Sequence, residues 1–81
     1  MDRRLTPANA RVAALPLKGI VAAPSYSAGV ELQLSVPVAD LLSAPHGKRE
    51  RQILMGERLT QYESREGWAF VQAKKDGYVG Y

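Results

Sequence analysis

Residues 66–81 read EGWAFVQAKKDGYVGY, and this stretch decides the fold. Gly67 and Gly77 each follow an acidic residue, and both pairs are turn signals. Between them, Trp68 to Ala73 is a strand rich in aromatic and β-branched residues. Ala69, Val71 and Ala73 fall on one face, small enough for a tight core, and Trp68, Phe70 and Gln72 on the other. Tyr78 to Tyr81 form a last strand. Such an aromatic strand either finishes a small barrel or ends where something larger begins.

Working toward the N-terminus, Leu59 to Glu63 is a strand joined to Trp68 by a hairpin turn over Ser64-Arg65-Glu66-Gly67. Gln52 to Met55 is short and apolar, and Gly56-Glu57 turns the chain. Val38 to Leu42 follows Pro37 as a strand and ends at Ala44-Pro45-His46-Gly47. This meander of short strands, turning every eight residues or so, is the signature of a small barrel or sandwich. Upstream, Thr6 is placed to cap a helix and Pro7 suits its first position. Val12, Ala13 and Leu15 supply an apolar face, and Pro16 stops the helix after about two turns. Gly19 to Ala22 and Glu31 to Val36 read as strands of a hairpin. Leu32, Leu34 and Val36 alternate with Glu31, Gln33 and Ser35, as in a half-buried strand.

Composition bounds the chemistry. The 81 residues suffice for one domain. There is no cysteine, hence no disulfide, no thiol nucleophile and no Cys-based metal site. The net charge of +3 is mild, and Glu50 interrupts the basic cluster Lys48-Arg49-Arg51, so nucleic acid is not an expected partner. No secretory signal and no run near the ~20 apolar residues of a membrane span occurs. The expectation is a soluble, cytoplasmic protein that does not engage a membrane. His46, the single histidine, sits in a turn and reads as a solvated side chain. No metal-ligand spacing and no phosphate loop is present, so no metal and no cofactor is expected. Glu57, Glu63, Glu66 and Asp76 read first as surface charge.

Tyr62, Trp68, Phe70, Tyr78 and Tyr81 crowd into twenty residues. Either some of them form an exposed binding surface or they close the ends of the barrel. No aromatic groove with acidic neighbours, of the kind that takes proline-rich peptides, is visible in the sequence.

Three motifs in order, Gln52-Ile53-Leu54-Met55-Gly56-Glu57, Glu66-Gly67-Trp68-Ala69-Phe70-Val71-Gln72 and Asp76-Gly77-Tyr78-Val79-Gly80-Tyr81, resemble a bacterial SH3-like domain. More narrowly, they resemble the N-terminal SH3-like (SH3b) domain of NlpC-type cysteine peptidases, the γ-D-glutamyl-L-diamino acid endopeptidases or dipeptidyl-peptidase VI-like enzymes. The match runs from Val38 to Tyr81, and the opening segment Asp2 to Pro7 is also similar to the start of such proteins. The resemblance implies a mainly β fold: a small SH3-like barrel with a short N-terminal helix and hairpin extension. It implies an extension over residues 1–36 and a barrel over residues 37–81, truncated before its last closing strand. The open edge would then be completed by the N-terminal segment or a second copy.

The resemblance also implies a role. The chain would be a non-catalytic domain gating substrate access in a murein-peptide-recycling cysteine endopeptidase. The catalytic Cys and His would lie in a C-terminal domain of the same polypeptide. The ligand would be a murein peptide with a free N-terminal L-Ala. Glu57 and Tyr78 match best the acid and tyrosine that hold the peptide's amino terminus, with Trp68 as a further substrate-binding residue. A carboxylate beside a primary ammonium makes a charge-assisted hydrogen bond, and the phenol adds a second oriented contact and a wall that excludes longer stems. The rival reading is a standalone SH3-like binding module for cell-wall peptide or a protein partner, centred on Trp68 and Phe70. Two departures stand out. Gln61 stands where an apolar residue is expected inside its strand, which would either loosen the core or mark a twist, and Tyr81 replaces the commoner tryptophan.

Overall fold

A computed structural model describes residues 3–81; Asp2, the first residue of the similar opening segment, lies outside them. The fold is mainly β and SH3-like. Eight strands follow one another: β1 (Ala13–Ala14), β2 (Tyr26–Ser27), β3 (Val30–Gln33), β4 (Val38–Leu42), β5 (Arg49–Leu54), β6 (Arg58–Arg65), β7 (Trp68–Ala73) and β8 (Val79–Gly80). A four-stranded sheet has the order β3-β6-β7-β8, and β4 and β5 form a hairpin. Tyr81 joins the two units: its N–H donates to the Leu42 carbonyl at 2.9 Å and its carbonyl accepts from the Leu42 N–H at 2.8 Å. The strands therefore wrap in the order β3-β6-β7-β8-β4-β5.

The turns explain this path. Glu66 (φ 52°) and Gly67 (φ 79°) both have positive φ, the requirement of a type I′ turn, and they set Arg65 opposite Trp68. In the β7–β8 turn the Asp76 carboxylate accepts from the Tyr78 N–H at 3.2 Å. Between Gln61 and Glu63 the β6–β7 register shifts, leaving Tyr62 as the extra residue of a bulge. The twist expected at Gln61 is this bulge.

Side chains on the two faces of β7 enter two cores. Val71 and Ala73 join Leu41, Ile53 and Leu59, with Leu34, Ala69 and Tyr78 packed alongside. Phe70, which is 3 % exposed, joins Val12 and Val79 on the opposite face, beside Tyr62 and Tyr81. Both faces of the sheet are thus covered, the second by the N-terminal segment.

That segment departs from the expected helix and hairpin. The expected helix from Thr6 does not form: residues 6–14 carry no helical turn, and single 3-10 turns lie on either side, at Arg3–Leu5 and Leu15–Leu17. Asn9 is the reason. Its Oδ1 accepts from the Arg11 and Val12 N–H groups, both at 2.9 Å, and folds the chain back so that Ala8 bridges Ala13. Gly19 to Ala22 form no strand. Instead β1 pairs with β2 in parallel, and β3 leaves the extension to pair with β6. The sheet therefore runs through the sequence boundary at residue 37. The alternating segment is an exposed edge: all four β3 residues are exposed, and only Leu34 beyond them reaches the core.

Candidate functional site

Two of the depressions on the barrel hold candidate residues. The larger, of 380 Å³, opens between the β4–β5 and β6–β7 turns and is lined by Arg11, Pro45, His46, Glu63, Arg65, Glu66, Trp68 and Tyr81. Trp68 is half-buried and meets the His46 ring edge-on, with centroids 4.9 Å apart and planes at 73°. His46 reaches it because the tight β4–β5 turn holds the residue at φ 59°. On the floor, Arg11 donates twice to Glu63, from Nε to Oε2 and from Nη2 to Oε1, both at 2.8 Å. Asn9 Nδ2 donates to Glu63 Oε1 at 3.2 Å and to the Tyr81 hydroxyl at 3.1 Å. The Arg11 fork holds the Glu63 carboxyl below its ordinary range, against the opposing effect of desolvation.

A shallower depression of 230 Å³ is lined by Glu50, Arg51, Gln52, Leu54, Glu57, Lys75 and Asp76. Glu57 lies at the β5–β6 turn, where Oε2 accepts from the Leu54 N–H at 2.7 Å. Tyr78 is half-buried against the first core and lies beside this depression through Arg51. The Arg51 guanidinium stacks 4.4 Å from the Tyr78 ring centroid and pairs with Asp76, and Arg4 lies 6.0 Å from the same ring. Glu50 accepts from Arg3 at 2.7 Å through Oε2, which holds its carboxyl below the ordinary range. Its other oxygen is buried with no hydrogen-bond partner.

Of the three residues singled out by sequence, Glu57 lines the shallow depression together with Arg51, whose guanidinium stacks on Tyr78, and Trp68 lines the other depression. Phe70, expected beside Trp68 on a binding surface, is buried and unavailable. None of the five clustered aromatics is more than half-exposed; Tyr62, Tyr78 and Tyr81 pack against the cores. An aromatic cleft with acidic neighbours does exist, in Trp68 and Tyr81 with Glu63 and Glu66, and the linear sequence hid it. His46 is likewise part of a ring contact, not simply a solvated turn residue. Among the described residues no group of three His, Cys, Asp or Glu side chains could hold a metal. No helix in them is long and apolar enough to cross a membrane.

Residues 41–81 match the family described as the bacterial dipeptidyl-peptidase Sh3 domain. The chain belongs to this family. No curated protein and no solved structure matches it. The matched SH3 domain begins inside β4 and contains the whole shallow depression, together with every lining residue of the large cleft except Arg11. With no cysteine, this SH3 domain brings no thiol nucleophile of its own and has the character of a binding or accessory module. Asn9, Arg11, Glu50 and His46 are what the sequence reading missed as candidates. The one local hint was Glu50, a carboxylate set among Lys48, Arg49 and Arg51.

Proposed function

We propose that this SH3 domain gates substrate access in an NlpC-type cysteine endopeptidase that recycles murein peptides in the cytoplasm. The catalytic cysteine and histidine would come from a C-terminal domain of the same polypeptide. The observation that carries the reading is the shallow depression inside the matched SH3 region, with Glu57 and Glu50 on its wall and Tyr78 beside it under Arg51.

The chemistry follows from these groups. The substrate is a murein peptide whose free N-terminal L-Ala carries an ammonium. Glu57 accepts one ammonium proton in a charge-assisted hydrogen bond. Glu50 lines the same depression and adds a second negative charge to it, although its Oε2 is already paired with Arg3. The Tyr78 hydroxyl offers the ammonium a second, oriented hydrogen bond, and its ring, under Arg51, forms a wall against a longer stem, so selection is for a free end.

The test is a nuclear magnetic resonance titration of the chain with L-Ala-γ-D-Glu-diaminopimelate and its N-acetyl analogue. Shifts at the amides of residues 50–57 and 76–78 by the free amine alone support the reading. Equal shifts from both peptides, or hydrolysis by this chain alone, contradict it. Glu57→Gln and Tyr78→Phe are expected to weaken the response, each by about tenfold, the loss of one charge-assisted or oriented hydrogen bond.

A further inference from the structure

The large cleft has no part in the amine recognition proposed above, and its make-up is unlike that of the shallow depression. Its 380 Å³ is at the small end of ligand sites, which span about 300–1,000 Å³. One side is an apolar platform: Trp68, held edge-on by His46, with Pro45 next to it. The rest is Tyr81 and a ring of charged side chains whose formal charges cancel, Arg11 and Arg65 against Glu63 and Glu66.

We propose that this cleft is a saccharide site that takes one or two neutral hexose rings. Each feature selects that class. The four formal charges sum to zero, so the cleft offers no net charge that would favour a strongly charged ligand. A proline-rich peptide needs dry aromatic ridges. Here it would strip water from the Arg11–Glu63 pair and return no hydrogen bonds. Sugar hydroxyls both donate and accept, so they satisfy carboxylate and guanidinium edges at once. The C–H face of the ring packs on the indole, whose electron-rich face attracts polarised C–H groups.

The site is also pre-organised. Arg11, Glu63, Asn9 and Tyr81 are tied together by hydrogen bonds among their own side chains, and the type I′ turn fixes Trp68 across from Arg65. The side chains of this network therefore have little entropy left to lose on binding. Glu66, whose side chain is 80 % exposed, can swing to meet a hydroxyl at the rim.

Trp68 is the only tryptophan, so its emission reports on this cleft alone. The experiment titrates the 81-residue chain with N,N′-diacetylchitobiose, cellobiose and maltose. A proline-rich decapeptide and inorganic phosphate are run alongside. Expected is a saturable change in Trp68 emission with at least one disaccharide, at a Kd of about 1 mM or tighter. Amide shifts should be confined to residues 44–48 and 63–68. Glu66→Gln, at an exposed position, should weaken binding about threefold, and Trp68→Phe, followed by amide shifts, about tenfold. The proposal is overturned if none of the three disaccharides produces a response by about 50 mM. Saturation by the decapeptide or by phosphate in their place overturns it, as does sugar binding that neither substitution alters. Failure here leaves the amine test untouched, because the two ligands report on different amides.

Discussion

Gly80 is where the barrel wrap is most exposed to a single atom. A Cβ added there would sit 2.6 Å from the Leu42 carbonyl oxygen and 2.7 Å from Leu41 Cγ. The first is backbone and cannot rotate away, so Gly80→Ala forces β8 from β4. Overpacking of this kind costs about 1–3 kcal/mol. The displacement also strains the two Leu42–Tyr81 hydrogen bonds, each worth about 1 kcal/mol. A domain of this size is stable by only about 4–12 kcal/mol. The melting temperature should therefore fall by about 10–30 °C. Gly67→Ala is the control. Gly67 has φ 79° with nothing within 4 Å of an added Cβ, so only backbone strain of about 1–2 kcal/mol applies. Thermal unfolding followed by circular dichroism and by Trp68 emission measures both. If Gly80→Ala melts within a few degrees of the parent, or above Gly67→Ala, the β4–β8 contact does not hold the wrap together.

Three further outcomes follow from particular contacts. Phe70→Ala empties the second core and should cost about 3–5 kcal/mol in urea unfolding, leaving little or no folded protein at 37 °C. Arg51→Ala removes the stack on Tyr78 and the pair with Asp76, and chemical denaturation should show a loss of about 1 kcal/mol. Glu63 has its carboxyl lowered by Arg11 from an ordinary value of 4.5, so its contribution is present above that value and lost as pH falls through the lower folded one. Arg11→Gln should accordingly melt a few degrees below the parent at neutral pH, with the gap closing as the pH drops below 4.5.

The strands most legible in the sequence are those bounded by turn chemistry. Val38–Leu42 and Trp68–Ala73 are observed at the bounds their flanking prolines and glycines imply. The hairpin through Glu66-Gly67 is equally local. What was illegible depends on distant partners. Thr6-Pro7 looks like a helix start, yet a single side chain, Asn9, takes the N–H groups of Arg11 and Val12 and reverses the chain. Leu32 has the alternation of a half-buried strand, but β3 lies at the edge of the sheet, where nothing covers it. Phe70 reads as a surface aromatic until Val12 is known to pack on it. The large cleft could be anticipated only through Trp68. His46 comes to it from another hairpin and Arg11 from outside the barrel strands, and no spacing rule links them. The pairing of Glu57 with Tyr78 came from a resemblance, and the geometry adds Glu50 and Arg51 between them.

The segment before residue 37 is bound into both depressions and both cores, through Leu34 in the first and Val12 in the second, and its removal is a sharp test of the fold. Arg3 pairs with Glu50 and Arg4 lies over Tyr78 on one side. Asn9 and Arg11 hold Glu63 and Tyr81 on the other. Val12 is 5 % exposed and closes the second core, worth about 1.5–3 kcal/mol by its own burial. Its loss would also bare Phe70 and Val79 to water, and β6 would lose its pairing with β3 from Val30 to Gln33. Small domains bury a limited share of their surface and have little reserve. A fragment of residues 37–81 should therefore show no cooperative unfolding transition and poorly dispersed amide resonances. If that fragment instead unfolds cooperatively, the second core and the β3–β6 pairing are accessories to a barrel that stands without them.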